Sequence, residues 1–186
     1  SVDTVDLPVD LITVEDGLPQ GMVQCMVQDR SGYLWFGTRG GLARSDGYGF
    51  TIFQHDADDS SSIASNIIRS MVEDDEGYLW LGMESGALDR FDPRTERFQH
   101  IIPDPGTALG QWPEIRKLVR DPSGWIWIHA FDGGLRVVRK GARGQEPVIE
   151  WAQQAFPSIR WPAHINALDL ASDGALWKIG RASCRE

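Results

Sequence analysis

Short apolar stretches recur along this chain, at residues 22–27, 67–72, 115–119 and 165–170, and each runs into the same sequence of events. A polar turn follows, and then an alternation of apolar side chains that ends on tryptophan. The phrases read VQDRSGYLWFG (27–37), VEDDEGYLWLG (72–82), VRDPSGWIWIH (119–129) and LASDGALW (170–177). Period-two alternation on both sides of a tight turn predicts a β-hairpin in each. Aligned on Trp35, Trp80, Trp127 and Trp177, which lie 45, 47 and 50 residues apart, a glycine stands three places earlier every time: Gly32, Gly77, Gly124 and Gly174. An aspartate stands six places earlier in three copies, as Asp29, Asp74 and Asp121, and Ala171 takes its place in the fourth. Asp-x-x-Gly is type I turn chemistry, with the carboxylate capping the turn and glycine in the left-handed position at its end.

Further glycines and an apolar residue recur downstream, as Gly40-Gly41-Leu42, Gly86 with Leu88, and Gly133-Gly134-Leu135. Another strand follows near residues 50–53 in the first copy and 98–102 in the second. About four short strands in ~45–50 residues is the content of one β-propeller blade. A helical solenoid of similar period needs 3.6-residue periodicity and few central glycines, which the Gly-Tyr-Leu-Trp phrase lacks. The one helix-like run, residues 113–120 (PEIRKLVR), falls at a strand position of the repeat. The fold expected is therefore all-β: a partial, open β-propeller of about four blades, each of four antiparallel strands.

The stretches GLPQGMVQCMVQDRSGYLWFGTRGGLARSDGYGF and ASNIIRSMVEDDEGYLWLGMESGALDRFDP resemble the two-component regulator propeller repeat. The similarity runs from about Asp16 to Trp177. It weakens in the third copy, where His129 replaces the glycine, and in the fourth, where the aspartate is lost. The resemblance implies a periplasmic sensor ectodomain of a hybrid histidine kinase or a diguanylate cyclase. It also implies a seven-bladed ring, a following β-sandwich, a membrane helix and a cytoplasmic output. Residues 1–178 are assigned to a partial propeller. Residues 179–186 (IGRASCRE) break the register, resemble translated sequencing-adapter read-through and are set aside as a non-native tail. An arc of a little under four blades leaves blade edges open, so self-association through those edges, or receptor dimerisation, is expected.

Composition narrows the partners. With 18 basic and 27 acidic side chains and a formal charge of -9, the chain lacks the basic face that nucleic acid or anionic lipid requires. No apolar run approaches the ~18 residues of a membrane span. Two cysteines, Cys25 and Cys184, make no disulfide framework or zinc site, and Cys25 in a first strand reads as a buried, inert thiol. The four histidines show no metal-ligand spacing. A calcium loop beginning at Asp56 would find Ser61 where glycine belongs and Ile67 where glutamate belongs. No cofactor, metal or catalytic group is assigned.

The repeat tryptophans read as packing between blades. Trp112, Trp151 and Trp161 lie outside the phrase, where packing is again the favoured reading and partial exposure would let a ring stack on a sugar. The loops that lead into each blade's innermost strand carry Asn66, Arg69, Trp112, Arg116, His164 and Asn166. Arginine, tryptophan and amide side chains together suit polar, ring-bearing or carboxylated ligands such as oligosaccharides, and these six are the ligand-binding candidates. The function expected is non-enzymatic ligand sensing in the periplasm. The alternatives are a propeller lyase, which needs histidine and glutamate on several inner strands and finds only His164 near such a place, and a protein-interaction scaffold.

Overall fold

Alternation becomes sheet in register. A computed structural model of the protein describes residues 11–101, 112–132, 134–139, 146–162 and 164–181. Strands β1 (Val23–Gln28), β2 (Leu34–Thr38), β3 (Leu42–Ser45) and β4 (Phe50–Phe53) form the first antiparallel sheet, in chain order. The second holds β5 (Ile68–Glu73), β6 (Leu79–Met83), β7 (Leu88–Asp92) and β8 (Arg97–Ile101). The third holds β9 (Ile115–Arg120), β10 (Ile126–Ala130), β11 (Leu135–Arg139) and β12 (Val148–Trp151), with a short helix α1 (Ala152–Ala155) after it. The fourth is a two-stranded pair, β13 (His164–Leu170) and β14 (Leu176–Arg181). Of the run at 113–120, residues 115–120 are strand β9, as its place in the repeat requires. The tail set aside from residue 179 begins inside β14, where Ile179 and Gly180 pair with Ala167 and Ile165. Residues 182–186, with Cys184, lie outside the described residues.

Successive blades stack through their strand alternation. Trp35 and Gly37 point toward blade two, whereas Leu34 and Phe36 point the other way. A side chain at Gly37 would meet Ile68 of β5 at 2.8 Å, and one at Gly82 would meet Ile115 of β9 at 2.4 Å. Glycine is what lets the next blade's first strand come so close. In the third copy His129 fills this place; it is buried, and its Nε2 donates to the Ile165 carbonyl of β13 at 2.8 Å. The departure from glycine thus exchanges close approach for a hydrogen bond across the same interface.

Three apolar clusters occupy the three interfaces: Trp35 and Leu42 with Ile68, Leu81 and Phe91; Trp80 with Ile115, Leu118 and Ile128; and Trp127 with Ile165 and Leu168. Burying one tryptophan removes about 150–250 Å² from water, worth about 4–6 kcal/mol at ~25 cal/mol per Å². A fourth cluster, Leu18 with Phe36 and Ala43, lies on the outer face of blade one.

The predicted turns form, and each aspartate does more than cap. Gly32, Gly77, Gly124 and Gly174 take φ of 92°, 88°, 87° and 84°. Oδ1 of Asp29 accepts from the amides of Ser31 at 2.8 Å and Tyr33 at 3.0 Å, while Oδ2 accepts from Trp35 Nε1 at 2.8 Å. Asp74 and Asp121 repeat the arrangement, binding Trp80 Nε1 at 2.9 Å and Trp127 Nε1 at 2.8 Å. One carboxylate therefore closes the turn and anchors the buried indole six residues on. Neighbouring turns are tied as well: Arg30 Nε reaches Glu73 at 2.8 Å and its NH1 reaches the Asp75 carbonyl at 2.8 Å, while Arg120 pairs with Asp75.

Blade two buries an ion pair on the face it turns to blade one. Asp89, fully buried, accepts from His100 Nδ1 at 2.7 Å across the β7–β8 ladder and from the Ala64 amide at 2.8 Å. The bond to Asp89 is the largest influence on His100 and raises its pKa, with burial opposing and the Asp89 charge and Ser60 backbone assisting. A raised folded-state value means that this stabilisation is complete below the unfolded histidine pKa of ~6.5 and is lost as pH rises through the folded one. The urea midpoint is accordingly expected to fall between about pH 6 and the alkaline side of the folded pKa. His100→Gln should flatten that slope, and an unchanged slope in the variant would refute the assignment.

Candidate functional site

The first strands β1, β5, β9 and β13 neighbour one another in succession and so form the inner edge of the arc. Each of them bulges at the same repeat position. In β1, Val23 pairs with Thr38 and Cys25 with Gly37, leaving Gln24 as the extra residue. Arg69 is the extra residue between Ile68 and Ser70, Arg116 between Ile115 and Lys117, and Asn166 between Ile165 and Ala167. All four lie eleven residues before their repeat tryptophan. A bulge kinks the strand and re-aims a side chain, so the fold repeats one device four times and equips it with Gln, Arg, Arg and Asn.

The surroundings differentiate these positions. Arg69 is half-buried and held by carboxylates: NH2 lies 2.8 Å from Glu84, Nε lies 3.0 Å from Glu114, and NH1 donates to Gln24 Oε1 at 3.4 Å. Arg39 also reaches Glu84, at 3.4 Å. Arg69 therefore joins three blades and arrives at the site already neutralised. Arg116 is different. It is exposed, makes no ion pair among the described residues, and lays its guanidinium over the exposed Phe131 ring with 4.2 Å to the centroid. The Phe131 amide donates to the Glu114 carbonyl at 2.8 Å, which fixes the loop that carries the ring. Asn166 is exposed on the next bulge.

The other candidates serve the frame. Asn66 accepts from the His55 amide through its side-chain oxygen at 2.7 Å and from the Gly41 amide through its carbonyl at 2.9 Å, which joins blades one and two. Trp112 is buried, with the Arg136 guanidinium 4.2 Å from its ring; the opposite face of Arg136 meets Trp151 at 3.9 Å. A desolvated cation between two indoles is worth about 2 kcal/mol or more per contact. The backbone of His164 pairs with Arg181 at the start of β13, and its side chain lies outside the described residues. The structure thus brings Arg69, Arg116 and Asn166 into one row and adds Gln24 and Phe131, which sequence reasoning did not select. The eleven-residue offset from tryptophan was the signal that would have found Gln24.

The Cys25 thiol is pushed up to about 12 by burial, against a lowering contribution from the Gly37 backbone, in keeping with an inert packing role. Among the described residues no cluster of three or more His, Cys, Asp or Glu has the geometry to hold a metal ion. Nor is any helix among them long and apolar enough to cross a membrane.

Comparison with known proteins places these features in a context. The family model described as "Two component regulator propeller" matches residues 17–40 and 62–85, the turn-and-tryptophan phrases of blades one and two with their lead-in segments. Histidine kinase P4 of Formosa agariphila is 47% identical over 49 residues, which is 26% of this chain and 4% of that protein. The 1,4-alpha-glucan branching enzyme GlgB 2 of Xanthomonas oryzae pv. oryzae is 38% identical over 61 residues, 31% of this chain and 8% of that protein. Among solved structures, the extracellular domain of a B. thetaiotaomicron protein described as the hybrid two component system BT3049 superposes with a TM-score of 0.60 at 22% identity, over 84% of this chain and 20% of that one. A second B. thetaiotaomicron extracellular domain, described as that of the one component system BT4673, gives 0.63 at 20% identity, over 90% and 21%. The chain therefore spans about a fifth of these solved chains and less than a tenth of the curated relatives.

Proposed function

From a chain that carries two-component regulator propeller repeats, over residues 17–40 and 62–85, we propose that this is the ligand-sensing part of a bacterial two-component-type or cyclic-di-GMP signalling receptor, displayed on the periplasmic side of the membrane. The observation that carries the reading is the row of bulges: four successive inner strands each present one polar side chain, and at Arg116 that side chain is exposed beside an aromatic ring. The row suits a binding surface, and recognition of a ligand is the role read for it. Arg116 with Phe131 offers a cation for a carboxylate or hydroxyl and an apolar face for a sugar ring, and Asn166 offers an amide on the adjacent blade. An oligosaccharide is the ligand class that uses all three. Signalling requires that the ligand favour one arrangement of the receptor over another, since equal affinity for both shifts nothing.

A glycan panel screened against the purified protein tests this directly. Arg116→Ala is expected to weaken the bound glycan by about 10–100-fold, the loss of one charge-assisted hydrogen bond of ~1.5–3 kcal/mol, and to leave the urea midpoint unchanged because the side chain is exposed. Full retention of affinity would remove the bulge row from the site.

A further inference from the structure

The residue immediately after the second strand of a blade, four places beyond the repeat tryptophan, is Arg39, Glu84 and Phe131 in blades one to three. In blades two and three its backbone is held alike. The Glu84 amide donates to the Ile67 carbonyl at 3.1 Å, and the Phe131 amide to the Glu114 carbonyl at 2.8 Å. Its side chain meets the bulge residue of the same blade, which is arginine in both. One arginine position thus has two different neighbours. Glu84 lies 2.8 Å from Arg69 NH2, and Glu114 adds a second carboxylate. Phe131 lies beneath Arg116, with 4.2 Å from guanidinium carbon to ring centroid, and carries no charge. The acidic residues flanking this second pair are engaged elsewhere: Glu114 with Arg69 at 3.0 Å, and Asp132 with the Gly134 amide at 2.8 Å and Arg136 at 3.9 Å. Blades two and three each have a sheet on either side, so the contrast is internal to the arc.

Given the glycan-binding reading of the row, on which this inference rests, we propose that Phe131 is a specificity-determining positioning residue: it steadies Arg116 without neutralising it and so directs the row toward saccharides that carry an anionic group. An ion-paired arginine must give up a carboxylate before it can bind another anion. An arginine beside a ring keeps its full charge and its planar fork of donors, which matches a carboxylate bidentately. Contact with the ring also restrains the side chain, so less rotamer freedom is lost on binding. Along the row, Arg39, Arg69 and Arg116 face Glu84 and Glu114, three positive charges against two negative. The uncompensated charge belongs to Arg116, in a chain whose formal charge is -9. Gln24 and Asn166 add amides on either side and no further charge. A uronic acid and a sulfated sugar share the chemistry that this cation recognises.

Calorimetric titration of the purified chain with matched pairs of sugars is the test. One pair is an oligogalacturonate and the same oligomer methyl-esterified at its carboxyls; the other is a sulfated galacto-oligosaccharide and its desulfated parent. The wild-type chain is expected to bind the charged member of one pair roughly 10–100-fold more tightly than the neutral member, and the pair that responds identifies the anion. Phe131→Glu gives Arg116 the kind of neighbour that Arg69 has and should erase the preference. Phe131→Gln, alike in shape and uncharged, should keep it. Urea midpoints should match wild type in both variants, because the side chain is exposed and the bond to Glu114 runs through the backbone. Equal affinity for charged and neutral members in the wild type would overturn the proposal. So would a preference that survives Phe131→Glu, or one that Phe131→Gln loses as fully as Phe131→Glu does. Binding of a neutral glycan alone would overturn it and leave the sensing reading in place, whereas binding of no glycan, charged or neutral, would remove both.

Discussion

Replacing Asp74 by alanine is expected to destabilise the protein by about 3–5 kcal/mol, the largest effect of any single polar change. The carboxylate accepts from the amides of Glu76 at 2.8 Å and Tyr78 at 3.0 Å and from Trp80 Nε1 at 2.9 Å, and Arg90 Nε lies 3.7 Å from the same group. Hydrogen bonds to a charged acceptor are worth about 1.5–3 kcal/mol each, and they share one side chain, so their sum is an upper bound. Losing the acceptor also leaves the indole N–H of a buried tryptophan without its partner at the interface between blades two and three. With a urea m-value of ~1–3 kcal/mol/M, the midpoint should drop by roughly 1–5 M. Asp74→Asn keeps a carbonyl oxygen for the turn or the indole but not the charge, and should fall between the two. A midpoint equal to wild type in Asp74→Ala would show that the turn and the tryptophan are held by packing alone.

Gly86→Ala comes second, at about 2–5 kcal/mol. Gly86 sits at φ 82°, where a Cβ costs about 1–2 kcal/mol, and a Cβ built there would lie 1.8 Å from the Trp112 carbonyl oxygen. Overpacking of this kind adds about 1–3 kcal/mol. The obstacle is backbone, and it cannot simply retreat, because the Trp112 ring is stacked on the buried Arg136 guanidinium, which is stacked in turn on Trp151. The strain should therefore reach blade three: a lower urea midpoint accompanied by a red-shifted tryptophan emission, as Trp112 gains water. Arg136→Met removes the clamp and should lessen the additional cost of Gly86→Ala in a double-mutant cycle. Full additivity would mean that the Trp112 loop moves freely of the stack.

The blades were legible because one phrase encodes a turn, an alternation and a large residue at a fixed offset. Strand order, the strand at 115–120 and the burial of Trp35, Trp80 and Trp127 all follow from it. The Asp29–Trp35 spacing was visible, yet it spoke only of turn capping, since nothing local reveals that a side chain will fold back onto an indole six residues away. The site was harder to see. A β-bulge has no compositional mark, so Arg69, Arg116 and Asn166 stood out by residue type while Gln24, at the same offset, did not. Nor does sequence distinguish Arg116, which faces solvent over Phe131, from Arg69, which Glu84 and Glu114 neutralise, because Glu84 lies fifteen residues on, after β6 of the same blade, and Glu114 lies on the next blade. Asn66 and Trp112 have the chemistry of ligand-binding residues, but their neighbours in space, the His55 amide and Arg136, draw them into the frame.

One small feature sets the grain of the whole chain. Leu18 and Ile63 stand seventeen residues before Trp35 and Trp80, and the lead-in segment they mark is latched to the blade it introduces: the Ala64 amide to Asp89, the Trp112 ring to Arg136. These two latches close within a blade, while Asn66 of the same lead-in segment bonds back to Gly41 of blade one. The natural module is therefore not a sheet but a sheet with its preamble, 45 residues from Leu18 through Ser62 in the first instance. A cut placed between β4 and Leu18's counterpart, Ile63, keeps the Ala64–Asp89 latch with its own sheet, at the cost of the Phe98 amide's bond to the Ser61 carbonyl, whereas a cut immediately before β5 severs that latch. Grafting, shortening or permuting this chain has a preferred seam, and it runs just ahead of the segment that leads into each sheet.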